Sequence, residues 1–173
     1  MSKINKVPDF ESMFNKIKQQ APRAASVIAL NHFKDSFQKQ GFTDEAFTAW
    51  DSRRGDTRPG GAILTQTGHL RDSLNISTVT KTKVEIVNSA PYASIHNEGG
   101  TLTIAITPKM RKYFWFMFGN TGESKFKFMA LTKKNNMVIK MPKRQFMGDS
   151  AVMTTKFDKW MIDQISKTPI PLK

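Results

Sequence analysis

Three histidines, His32, His69 and His96, are the first side chains to test for chemistry. His96 precedes Asn97 and Glu98, and a histidine beside a carboxylate can work as an acid–base pair when both groups are positioned with separated pKa values. The spacing supports nothing further. No two histidines stand four apart around a carboxylate, as a zinc hydrolase needs on one helix face, and no three or four ligands fall at metal spacing. Cysteine is absent from all 173 residues, which removes thiol catalysis, thiolate ligands and disulfides together. There is no Gly-x-Ser-x-Gly elbow, and the glycines at 55–61 are not followed by the Gly-Lys-Ser/Thr of a phosphate loop. The reading is a protein that is not an enzyme, with no catalytic residue, no cofactor and no metal. His96 is read as a packed or interfacial histidine.

The stretch that positions His96 organises the rest of the chain. Tyr92, Ile95 and His96 recur at helical spacing after Pro91, which suits the first position of a short helix. Gly99-Gly100 then allows a positive-φ pivot. Leu102, Ile104 and Ile106 alternate with Thr101, Thr103 and Thr107, the period of a half-buried core strand.

Elsewhere, 9–40 reads as helix capped by Asp9, with a kink or break near Ala21 at Pro22 and a stop at Gly41. Phe42, Phe47 and Trp50 follow in a looser segment. Residues 51–62 carry three arginines, Arg53, Arg54 and Arg58, and no large apolar side chain, so this segment reads as a flexible loop. Asn75–Thr80 and Lys83–Asn88 form a hairpin. Thr107-Pro108 starts a helix with Met110, Phe114, Met117 and Phe118 on one side and Tyr113, Trp115 and Phe116 on the other. A segment apolar all round is either buried or docked to another chain. Met129–Thr132 and Met137–Met141 read as a second hairpin. Ser150 or Asp149 caps a last amphipathic helix through Met153, Phe157, Trp160, Met161 and Ile165, laid across the sheet, and Pro169 and Pro171 end the order. The expected class is α+β: N-terminal helices, a small mainly antiparallel sheet with β-hairpins, and a C-terminal amphipathic helix on the sheet. The expected organisation is one domain over 1–173, with its core in 64–107 and 126–165 and a helical insert at 108–125.

Charge is uneven. The net value is +13, and residues 108–144 hold ten basic side chains against Glu123 alone. Such a field attracts polyanions or an acidic partner. Aromatic and basic residues interleave in Arg111–Phe118 and Lys125–Phe128, a mixture that can bind single-stranded nucleic acid or form a protein–protein surface with a basic rim. The second fits helical spacing better. The first residues lack an apolar run, and no stretch is long enough to span a bilayer, so the expectation is synthesis in a cytoplasm and no membrane.

Three blocks occur in order: Leu64-Thr65-Gln66-Thr67-Gly68-His69-Leu70-Arg71-Asp72-Ser73-Leu74, then Tyr92-Ala93-Ser94-Ile95-His96-Asn97-Glu98-Gly99-Gly100, then Pro142-Lys143-Arg144-Gln145-Phe146-Met147-Gly148. Together they resemble the phage virion morphogenesis family, the tail-completion family of Mu-like phages and prophages. Gln145 departs from that family's pattern, which often has proline there. The structural motif residues that the resemblance marks are Gly68, Leu70, Tyr92, His96, Gly99, Gly100, Arg144 and Phe146. The resemblance implies a non-enzymatic tail or neck protein of the virion, assembled in the bacterial host. Its copies would close into a ring, commonly a hexamer, that finishes the tail and joins it to the head. Implied partners are further copies, the tail tube or terminator, and head-neck proteins. The face of Tyr113, Phe114, Trp115, Phe116 and Phe118 is the candidate interface. Arg53, Arg54 and Arg58 are candidates to face DNA in the channel, through phosphate alone. The rival reading is a stand-alone basic nucleic-acid-binding protein.

Overall fold

The computed structural model describes residues 7–53, 58 and 60–172. It is α+β, with two long helices and three two-stranded antiparallel sheets. The chain divides into two compact units, Met1–Glu98 with Lys143–Lys173, and Gly99–Pro142.

In the first unit, α1 (Phe10–Lys39) opens under an Asp9 carboxylate that accepts from the Ser12 N–H at 3.2 Å. The helix runs unbroken through Pro22, contrary to the break expected there. Proline removes one backbone donor, but a single lost bond is outweighed by an apolar face that buries Met13, Ile17, Phe33 and Phe37. Its left-handed end is Gln40 (φ 58) rather than Gly41, because the Gln40 amide is itself fixed, with Oε1 accepting from Ile63 N–H and Nε2 donating to Phe37 C=O. Gly41 instead opens β1 (Gly41–Thr43), which pairs with β2 (Phe47–Ala49), so the looser segment is a hairpin.

After α2 (His69–Asp72), β3 (Leu74–Val79) and β4 (Val84–Asn88) make the expected hairpin, with an irregularity between Ile76 and Thr78. The short helix α3 (Ala93–Glu98) closes this part of the unit. The core gathers Phe33, Phe37, Phe42, Trp50, Leu70, Leu74, Ala90, Ala93 and Phe146 from both sides of the insertion point.

The second unit comprises β5 (Gly100–Ala105), α4 (Pro108–Thr121), α5 (Ser124–Leu131) and β6 (Asn136–Met141). Two expectations are corrected here. Residues 129–131 belong to a helix, and β6 pairs with β5 from Gly100↔Met141 to Ala105↔Asn136. The run Ser124–Leu131 contains no β-branched residue and is rich in Lys, Met, Ala and Leu, which favour helix, whereas Val138 and Ile139 suit a strand. The β5 strand is also no core strand, since every residue in it is exposed. Its alternation is real, but no layer of this unit covers the Leu102–Ile104 side.

The chain re-enters the first unit at Lys143, and α6 (Ala151–Lys167) packs chiefly on α1. Met153 and Phe157 of α6 share a groove with Ala29 and Phe33 of α1 and Val84 and Ile86 of β4. Ser150 Oγ accepts from Met153 N–H at 3.1 Å and donates to Thr43 C=O at 2.8 Å, so one hydroxyl both caps α6 and ties it to β1. Pro171 does not end the order: Asp9 N–H donates to Pro171 C=O at 2.7 Å, and Pro8 bridges Leu172.

Candidate functional site

The three motif blocks meet within the first unit. In the first, Thr67 Oγ1 accepts from His69 N–H at 3.3 Å, and Gly68 takes a left-handed φ of 73. A Cβ at Gly68 would stand 3.1 Å from the exposed Asp72 Oδ2, which can move aside, so it is the positive φ that favours glycine here. This turn starts α2 with Leu70 in the core. Arg71 and Asp72 pair at 2.8 Å on the surface, which holds the Asp72 carboxyl below its usual range through their hydrogen bond; exposed as they are, this adds little stability.

In the second block, the Tyr92 ring stands edge-on to His96 at 5.8 Å and lies 6.2 Å from His69. Nδ1 of His96 is buried without a partner. Burial first, then the Arg144 cation, lowers the His96 pKa from 6.5. Glu98 is exposed, and among the described residues no hydrogen bond or ion pair joins it to His96. Gly99 (φ 72) and Gly100 (φ 139) have the positive backbone angles that the pivot requires.

The third block is laced to the second. Arg144 N–H donates to His96 C=O at 2.8 Å, and Asn97 Oδ1 accepts from the N–H groups of Phe146 (2.9 Å) and Met147 (3.1 Å). Phe146 is fully buried against Phe37, with ring centroids 5.1 Å apart. Trp50 Nε1 donates to Gln145 C=O at 2.7 Å. The Arg144 guanidinium donates to Asp51 C=O from Nε (3.1 Å) and Nη2 (3.0 Å), and from Nη2 to Ser52 C=O at 3.4 Å. These bonds give an extended connector the polar partners that a buried backbone needs. Asn97 was missed as a structural residue. Its only sequence signal is an amide side chain at the end of a short helix, two residues before paired glycines.

Arg53 donates to the carbonyls of Arg58 and Ala62, Arg58 donates to Ala62 C=O at 2.9 Å, and Arg54 lies outside the described residues. Among the described residues, no group of three or more His, Cys, Asp or Glu side chains could hold a metal ion.

The second unit holds the aromatic candidates. Thr107 Oγ1 caps α4 by accepting from Met110 N–H at 3.2 Å, with Pro108 in the first turn. Met110, Phe114, Met117 and Phe118 turn inward. Phe114 is only 8% exposed, so it belongs to the unit's own small core and is corrected as a surface residue. The half-buried Phe118 stacks edge-on to Trp115 at 6.1 Å. Tyr113, Trp115 and Phe116 point outward, with Phe116 62% and Phe128 72% exposed. Arg111 is not part of an open basic face: its guanidinium donates to the carbonyls of Ala130, Thr132 and Lys134, capping the end of α5. The remaining lysines leave the unit with a net charge of +7, Glu123 being its one acid.

A model of the phage virion morphogenesis family matches residues 33–165, from inside α1 to near the end of α6. The chain belongs to this family. The match takes in all three motif blocks and the whole second unit. No curated protein and no solved structure gives a significant match. The phage virion morphogenesis family is one of structure and assembly, which gives the chain a structural or assembly role in the phage. Among the described residues, no helix is long and apolar enough to cross a membrane.

Proposed function

We propose that the chain is a tail-completion or neck protein, whose copies close into a ring, a hexamer by the family's habit, that ends the tail and lets it join the head. It works by shape, without turnover. Its partners are further copies, the tail tube or terminator below, and head-neck proteins above.

The observation that carries this reading is the outward aromatic surface of the 99–142 unit. Tyr113, Trp115, Phe116 and Phe128 are exposed on a unit whose own core buries only Phe114 and Ala130. A soluble protein rarely leaves such a surface uncovered, and the usual cover is another subunit. A ring needs a heterologous contact, one patch meeting a different patch on the next copy. The test is negative-stain imaging and protein content of purified tails. Rings at the head-proximal end that contain the chain support the proposal, and finished tails lacking it refute it.

The +7 charge of this unit favours a second reading, a free nucleic-acid-binding protein. Such a protein would bind DNA in solution with an affinity that falls steeply with salt. In the ring reading, DNA contact is a weak phosphate contact made only in the channel.

A further inference from the structure

One charge in the first unit is not balanced by its surroundings. Arg144 is 7% exposed, and among the described residues its guanidinium donates only to the backbone carbonyls of Asp51 and Ser52. Among the described residues it has no ion pair with a carboxylate. Buried guanidinium groups are normally paired with an anion, because removing the charge from water is costly. Burial lowers the Arg144 pKa, the Asp51 carboxylate partly offsets this, and the Arg53 cation lowers it further.

Arg144 lines a cavity of about 340 Å³ together with Arg53, Gln66, Thr67, Tyr92 and His96, and among the described residues no aspartate or glutamate lines it. His96 adds a second polar atom in search of a partner, its buried Nδ1. The wall also includes Ile63, Leu64 and Leu70, so the space is partly apolar. A strongly hydrated phosphate dianion suits such a wall poorly, whereas an acid on a hydrocarbon stem satisfies both parts of it. We propose that this cavity binds a carboxylate carried on a short aliphatic stem, with Arg144 as its charge partner. The source is either a free small acid or a glutamate side chain of a neighbouring protein. This binding stands apart from the ring reading and needs no assembled particle.

The test is an NMR titration of the full chain, following the Arg144 Nε–H and His96 ring signals, with glutarate, N-acetylglutamate N-methylamide and inorganic phosphate at matched ionic strength. Saturable shifts with the carboxylates, and binding of phosphate weaker by about tenfold or more, support the proposal. Tighter binding of the blocked amino acid assigns the source to a protein side chain, and tighter binding of glutarate assigns it to a free acid. Gln66→Glu places a like charge at the exposed mouth without touching the core, and should weaken carboxylate binding about tenfold. Arg144→Lys keeps the charge but loses the fork and should weaken it as well; if that variant does not fold, Gln66→Glu decides. No saturable shift, equal or tighter phosphate binding, or unchanged affinity in Gln66→Glu would overturn the proposal.

Discussion

The two compact units spend similar side chains in opposite ways. In the first, Phe33, Phe37, Phe42, Trp50 and Phe146 converge on one core. In the second, α4 and α5 bury Phe114 and Ala130 and leave Trp115, Phe116, Phe128 and Leu131 exposed. The first unit is thus stabilised by its own aromatics, while the second holds much of its apolar surface for something outside itself. Composition does not separate the two cases. What separates them is whether a facing layer exists: the first unit sets two long helices and two hairpins around its aromatics, and the second has only one two-stranded sheet and two shorter helices.

This contrast breaks most sharply at Phe146. Phe146→Ala empties a fully buried site and should cost about 3–5 kcal/mol, read from the midpoint of denaturant unfolding. Asn97→Ala removes the acceptor of two backbone N–H groups in the buried connector. It should cost about 2–3 kcal/mol, and it should expose the Phe146 and Met147 amides to hydrogen exchange. Thr107→Ala deletes a helix cap in the second unit and should cost about 1 kcal/mol of local stability. Faster exchange should appear across residues 108–121, with the first unit's core amides unchanged.

A smaller effect follows pH. His32 and His96 both have pKa values lowered by burial, so the unfolded chain takes up protons at a higher pH than the folded chain does. Their contribution to stability is therefore fully present above about 6.5 and falls as the pH drops through 6.5 toward the lower folded values. Thermal midpoints should decline from pH 7.5 to 5.5, and His32→Gln should flatten the decline. The smallest effect on folding belongs to Phe116→Ser, within about 0.5 kcal/mol, although in this account it weakens assembly most.

Much of the first unit was legible in the sequence. Asp9 and Ser150 announced their helices, and the β3–β4 hairpin showed in its alternation. Proline misled at Pro22 and Pro171, where burial on α1 and the contacts from Asp9 and Pro8 override a local breaker. The second unit was harder to read. Alternation in Leu102–Ile106 reports a pleat but not whether anything covers it, and pairing across the thirty-odd residues between β5 and β6 leaves no local signal. In the candidate site, the motif order marked Tyr92, His96 and Arg144. Asn97 escaped notice because its work is done for backbone groups about fifty residues away.

The central claim is that the exposed aromatics of the 99–142 unit meet another virion subunit. A photo-crosslinking residue placed at Phe128 in phage-producing cells, followed by mass spectrometry of purified particles, tests it directly. The account predicts adducts joining position 128 to a second copy of the chain or to a tail or neck protein. Particles that contain the chain but yield only adducts within a single copy would contradict it.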